Sequence, residues 1–137
     1  MPAHWSHGNP IDILGDANAS TYQKALDILI KDKTIDGVLC ILTPQSMTDP
    51  NAVAKVLVDI SKQTHKPILA SWMGEQSVAA ARDILEIGNI PNYRYPEEAV
   101  AVYLKMVAYT QNIQLLYETP LAISEKFNFQ KSYKLES

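Results

Sequence analysis

Two short runs, "DGVLCIL" at 36–42 and "KPILASW" at 66–72, constrain the fold of this chain more than any other feature. Neither alternates apolar with polar residues. A strand with one face in water has to alternate, because successive side chains point to opposite sides of the sheet. Uninterrupted apolar runs of this length suit parallel strands that are buried on both faces. Parallel neighbours cannot be joined by a tight turn; they need a crossover, usually a helix. The intervening segment supplies one: Asp49 can cap it, Pro50 suits its first turn, and Val53, Val56, Leu57 and Ile60 form an apolar stripe.

The rhythm continues on either side. In "ASTYQKALDILIK", Tyr22, Ala25, Leu26 and Leu29 recur at helical spacing, and Ser20 with Gln23 reads as a capping box opening a helix over 20–31. A third helix follows "MGEQ", buries Val78, Ala81 and Leu85, and stops at Gly88. "IPNYRY" reads as a short edge strand. Pro96, Glu97 and Glu98 then open a fourth helix with Val100, Tyr103, Leu104 and Val107 as its buried stripe. "NPIDIL", ahead of Gly15 and Asp16, serves as the first strand. Strand and helix repeated in this way predict an α/β fold with a parallel sheet covered on both faces. Residues 1–8 read as an N-terminal extension, 9–112 as the domain, and 113–137 as a helix end and linker.

Composition narrows the function. With 137 residues, 47% of them hydrophobic, one core is expected. The net charge of -3 and the scattered lysines and arginines give no basic stripe, so nucleic acid is not an expected partner. Cys40, the single cysteine, lies in an apolar run and reads as a buried structural thiol. No run reaches the roughly 18 apolar residues of a membrane span. The N-terminal "MPAHWSHGNP" lacks the apolar core of a signal peptide, and a reducing, cytoplasmic setting is expected.

In an open parallel sheet, ligands gather beyond the carboxyl ends of the strands, where loops lead into helix N-termini. Four loops are predicted to converge there, over 15–20, 43–49, 71–76 and 92–95. They carry hydroxyls, amides and one guanidinium but few strong acids or bases, which suits holding an anion better than moving a proton. No catalytic group and no metal set is expected among them. Pro44 ends the "DGVLCIL" run, and Gln45 and Ser46 bring donors toward the crevice; the residues alone fit either a binding loop or a plain turn capped by Asp49. Gly74 permits close approach of a ligand, or Trp72 simply seals the sheet end. Thr43, Gly15, Asp16, Gly74 and Arg94 complete the candidate rim, with Arg94 facing either an acid such as Asp12 or Asp16 or an external anion. His4 and His7 flank Trp5, where Gly8 and Pro10 argue against a helical metal pair, and His65 falls at the wrong end of the sheet.

The order of "NPIDILGDA", "DGVLCILTPQSMTDP", "KPILASWMG" and "IPNYRYPEEAV" resembles the NDP-forming (ADP-forming) acyl-CoA synthetases, related to succinyl-CoA synthetase, over about residues 8–118. The spelling "HWSHGNPIDILGDA" with "LLYETP" is similar to proteins that join this region to a GNAT-type protein lysine acetyltransferase. The resemblance implies a flavodoxin-like, three-layer CoA-ligase domain. It also implies formation of an acyl-CoA such as acetyl-CoA from a carboxylic acid, CoA and ATP with magnesium, through an acyl phosphate and a phosphohistidine. Carried over position by position, contact with the acid or acyl phosphate falls on Pro44, Gln45 and Ser46.

Two motifs of the family are absent: the Ser-His-Thr-Gly of the phosphohistidine, and an Asn-x-Gly-Gly-Pro loop with its strand and helix that would precede "NPIDILGDA". The resemblance therefore implies a sheet lacking its first, central strand and helix, and a chain inactive alone. Its partners would be the CoA-binding, phosphohistidine and ATP-grasp domains of the same enzyme, or a second copy paired through open strand edges. Other readings are a non-catalytic module sensing CoA or acyl-CoA in a GNAT acetyltransferase, and a stand-alone flavodoxin- or receiver-like binding domain. Against the last, the phosphate loop of flavodoxins and the acidic cluster of receivers are missing, as is a nicotinamide-binding G-x-G-x-x-G turn.

Overall fold

The computed structural model describes residues 8–43, 45 and 47–118. Both apolar runs form strands, β1 over Val38–Leu42 and β2 over Ile68–Trp72, paired in parallel from Val38↔Ile68 to Leu42↔Trp72. A two-residue β3, Asn92–Tyr93, lies parallel to β2, giving the order β1-β2-β3. Helices alternate with these strands: α1 (Ala19–Lys31), α2 (Pro50–Ser61), α3 (Ala79–Ile87, entered through a 3-10 turn at Gln76–Val78) and α4 (Pro96–Tyr117). The α/β class and the parallel sheet are as the sequence predicts.

One face of the sheet, carrying Val38, Cys40, Leu42, Ile68, Ala70 and Trp72, forms the core with α1, α2 and α3. Leu26 comes from α1, Val53, Leu57 and Ile60 from α2, and Ala81 and Leu85 from α3. The apolar stripes expected of α2 and α3 supply these contacts, and α2 starts as expected, with Asp49 accepting from the N–H groups of Asn51 and Ala52 and Pro50 in the first turn. Helix α4 adds nothing to that core. It crosses the opposite face, touching all three strands, with the Tyr103 ring against the backbone of Gly37.

Three expectations need correction. Helix α1 is capped by Asn18, whose side chain accepts from Thr21 N–H at 3.0 Å, so Ser20 lies inside the first turn and forms no capping box. On α4 the contact line runs through Ala99 and Tyr103, leaving Val100 47% and Leu104 59% exposed. A single helix covers the second face, so one narrow strip is buried and its neighbours on the helix remain open. Finally, "NPIDIL" forms no strand: the sheet ends at β1, and Ile11–Leu14 has no ladder to join. Alternation in the β1–β2 ladder, set by Val38 N–H to Pro67 O at 2.9 Å, turns the backbone groups of Leu39 and Ile41 to the open edge. Ile41, whose side chain lies on the face crossed by α4 alone, is 44% exposed despite sitting in an apolar strand.

Leu57 is fully buried between α2 and the sheet, so Leu57→Ala is expected to lower the unfolding free energy by about 2–5 kcal/mol. Leu104→Gln, on the open side of α4, should change it by no more than about 0.5 kcal/mol. Urea unfolding followed by circular dichroism measures both; similar losses would contradict the two-sided account of α4.

Candidate functional site

Because all three strands run parallel, their carboxyl ends share one side of the molecule, and Thr43, Met73 and Arg94 leave the sheet together. The β1 and β2 ends are tied by Met73 N–H donating to Leu42 O at 2.9 Å. The end of β2 is closed by side chains: Arg82 Nη2 donates to Trp72 O at 2.6 Å, and Asn92 Oδ1 accepts from Trp72 N–H at 3.1 Å. Trp72 is fully buried, its side chain part of the core. Gly74 follows with a φ of 122°, a conformation side-chain-bearing residues rarely adopt, and it is exposed on the rim.

The loop after β1 meets the segment before α1. The Gln45 carboxamide lies so close over Gly15 that a Cβ on Gly15 would stand 2.5–2.7 Å from its Nε2, Oε1 and Cδ atoms. Thr48 is buried beneath, its hydroxyl donating toward Ala17 O at 3.0 Å and Gly15 O at 3.3 Å, while its N–H donates to Gln45 O at 3.1 Å. Just ahead, Leu14 has a left-handed φ of 72°, held by its N–H to Asp12 Oδ1 at 2.8 Å and by Ala17 N–H to its carbonyl at 3.2 Å. Gly15, Thr43, Gln45 and Gly74 thus share one exposed rim. Pro44 and Ser46 lie outside the described residues, as do His4 and His7.

Electrostatically the rim leans negative. Asp12 and Asp16 belong to the first loop, and Asp49 occupies two N–H groups at the start of α2. The rim's guanidinium, Arg94, pairs with Glu75 at 3.1 Å and lies over the Tyr95 ring at 5.6 Å from its centroid. It therefore faces neither Asp12 nor Asp16. With both side chains more than 60% exposed, that ion pair is easily exchanged for another anion. Among the described residues no three His, Cys, Asp or Glu side chains gather to hold a metal. His65 is exposed in the turn before β2, at the opposite end.

Thr48, Glu75, Arg82 and Asn92 were not predicted as site residues. Thr48 stands immediately before the Asp49 cap, the one local hint of a structural hydroxyl. The other three act through contacts 10 to 20 residues away in sequence, which no local pattern reveals.

An open parallel sheet with an amide-lined rim at its strand ends places the chain among α/β domains that hold small ligands beyond the strand carboxyl termini. The sequence matches the Ligase-CoA domain over residues 1–116, and the chain belongs to that family. It is 34% identical over 110 residues to the ADP-forming 4-hydroxybutyrate–CoA ligase of Nitrosopumilus maritimus, covering 80% of this chain and 16% of the relative. It is 38% identical over 100 residues to the ADP-forming acetate–CoA ligase I of Archaeoglobus fulgidus, covering 73% and 14%. Among solved structures it is similar to the dinucleotide forming acetyl-coenzyme A synthetase 1 of Ca. Korarchaeum cryptofilum, apo and in complex with phosphate and ADP. Each matches with a TM-score of 0.74 and 30% identity over 81% of this chain; the matches cover 25% and 24% of those chains respectively. The chain therefore spans only a small part of the relatives it matches.

Cys40 is buried in the core, and burial pushes its thiol up from 9.0 to about 12. Burial also raises Tyr22 to about 12, helped by Cys40 and Asp12. A thiol held protonated in the fold ionises more readily once unfolded, so its stabilising effect is complete below pH 9 and shrinks as pH rises toward 12. Between pH 9 and 10 the protein should lose about 1 kcal/mol more stability than Cys40→Ala. Equal losses in paired urea titrations would contradict a neutral, buried Cys40.

Proposed function

We propose that this chain is the part of an ADP-forming acyl-CoA synthetase that holds the carboxylic acid, or the acyl phosphate made from it, against the loop after β1. The observation that carries this reading is the Gln45 carboxamide laid over Gly15 at the strand-end rim. A neutral amide can donate to a carboxylate or phosphoryl oxygen without taking a proton from it. The names of the relatives, ADP-forming ligases of acetate and of 4-hydroxybutyrate, support a small carboxylic acid as the substrate class. Pro44, Gln45 and Ser46 are the proposed contacts, with Thr43, Gly15, Asp16, Gly74 and Arg94 around them.

The chain contributes no chemical step of its own in this reading. CoA and ATP with magnesium would be bound by the CoA-binding, phosphohistidine and ATP-grasp domains of the complete enzyme. The rim's carboxylates and its tied Arg94 leave much of an anion's charge uncompensated, which fits a site finished by another domain. The open edge of β1, with Leu39 and Ile41 turned outward, is the proposed contact with that remainder, and pairing with a second copy of this chain is the competing use of it.

Within the reading, residues 9–112 form the domain and 113–137 lead toward the ATP-grasp region. A cytoplasmic setting follows from the single buried cysteine, and among the described residues no helix is long and apolar enough to cross a membrane. Attachment to a GNAT-type acetyltransferase rests on the wording of "HWSHGNPIDILGDA" and "LLYETP".

The chain mixed with the missing synthetase domains should form acyl-CoA, whereas either part alone should not. Gln45→Ala with Ser46→Ala should raise the half-saturating carboxylic acid concentration about tenfold, the scale of one or two lost neutral hydrogen bonds, and leave the half-saturating CoA concentration unchanged. An unaltered acid dependence would remove this loop from the site.

A further inference from the structure

We infer that Thr48 is a positioning residue that sets the Gln45 carboxamide in place, an inference that rests on the proposed role of Gln45 at the rim. Thr48 has hydrogen bonds that reach both sides of the Gly15–Gln45 contact. Its backbone N–H holds Gln45 O at 3.1 Å, and its hydroxyl reaches Ala17 O at 3.0 Å and Gly15 O at 3.3 Å. These hydroxyl contacts join segments 31 and 33 residues apart, and they do so where no strand ladder holds the first segment to β1.

The side chain is buried, so the hydroxyl has a fixed setting, and one proton serves two carbonyls at the turn that carries Gly15. Gly15 completes the fit from the other side, since the space its missing Cβ would take is filled by the Gln45 carboxamide. With the hydroxyl gone, residues 15–17 lose their tie to the loop after β1, and the floor on which Gln45 rests is free to move. The role inferred is positional and not reactive: the Thr48 side chain is buried and its hydroxyl proton is shared between two backbone carbonyls.

The test replaces Thr48 by Val, which keeps the shape and removes the hydroxyl, and by Ser, which keeps the hydroxyl. In nitrogen-15 spectra of this chain, Thr48→Val should shift the Gln45 side-chain amide pair and speed amide exchange at Ala17 about tenfold, with Thr48→Ser close to the parent. Gly15→Ala, at an exposed position, should shift the same Gln45 signals even if Thr48→Val fails to fold. Unmoved Gln45 signals in a folded Thr48→Val, or in Gly15→Ala, would overturn the positioning role.

In the reconstituted enzyme, Thr48→Val should raise the half-saturating acid concentration severalfold in the parent and have little further effect in a Gln45→Ala background. Gln45 signals that move while acid dependence stays constant would leave the positioning intact and reject the binding role of Gln45, so the two failures are told apart.

Discussion

Strand β2 has no exposed residue: Ile68, Leu69, Ala70, Ser71 and Trp72 are all buried. A five-residue strand enclosed in this way needs a hydrogen-bonded neighbour on each side and cover on each face. Its backbone groups would otherwise be stranded without water, at about 1–3 kcal/mol each. The neighbours are β1 and β3, and the covers are the α1–α3 layer and α4. Parallel pairing then forces helical crossovers, and the crossovers deliver each loop to the same end of the sheet. The rim that carries Gln45, Gly74 and Arg94 follows from enclosing β2.

β1 has the composition of an interior strand and the position of an edge strand. Val38, Cys40 and Leu42 are buried on one face, but Leu39 and Ile41 meet neither a further strand nor a full helical cover. Edge strands in stand-alone proteins carry charge, proline or a bulge that blocks further pairing, and "VLCIL" has none of these. On α4, Val100 and Leu104 are likewise exposed apolar side chains, with Glu97 and Lys105 the charged residues beside them on the helix. The β1 edge and the outer side of α4 thus both leave apolar surface open. This agrees with a chain that spans only a small part of its relatives.

What could be read from the sequence divides by the range of the signal. The existence of β1 and β2, the Asp49 cap and the stripes of α2 and α3 were legible because each is fixed by residues within one or two turns. The opening of α4 was equally local, and Glu98 reaches back to Tyr95 N–H there at 3.4 Å. Asn18 was missed as the α1 cap because Ser20 offers the same chemistry two residues later, and only backbone geometry separates them. The buried side of α4 was misjudged because the helix is apolar nearly all round, so periodicity does not select Ala99 over Val100. "NPIDIL" has the residues of a strand, yet a strand is a property of a pair. The Gly15, Gln45 and Thr48 cluster was half visible: strand ends marked the loops, while the contact between them joins residues some 30 positions apart.

The charge at this rim bears on how such a domain can work within an assembly. In the proposed reading, a small carboxylate approaching Gln45 would meet its amide at a rim whose loops also carry Asp12, Asp16 and Asp49, with the Arg94 guanidinium already paired with Glu75. Like charges near a protein surface oppose anion binding, and one neutral hydrogen bond returns only about 0.5–1.5 kcal/mol. The site on this chain alone should therefore hold an anion weakly. Under that reading, tight binding would call for a cation or a helix N-terminus brought by a neighbouring domain, together with exclusion of water. In the proposed reading, dividing shape and charge between two domains would tie anion binding to assembly: Gln45 would fix where the oxygen lies, and the partner would decide whether it stays.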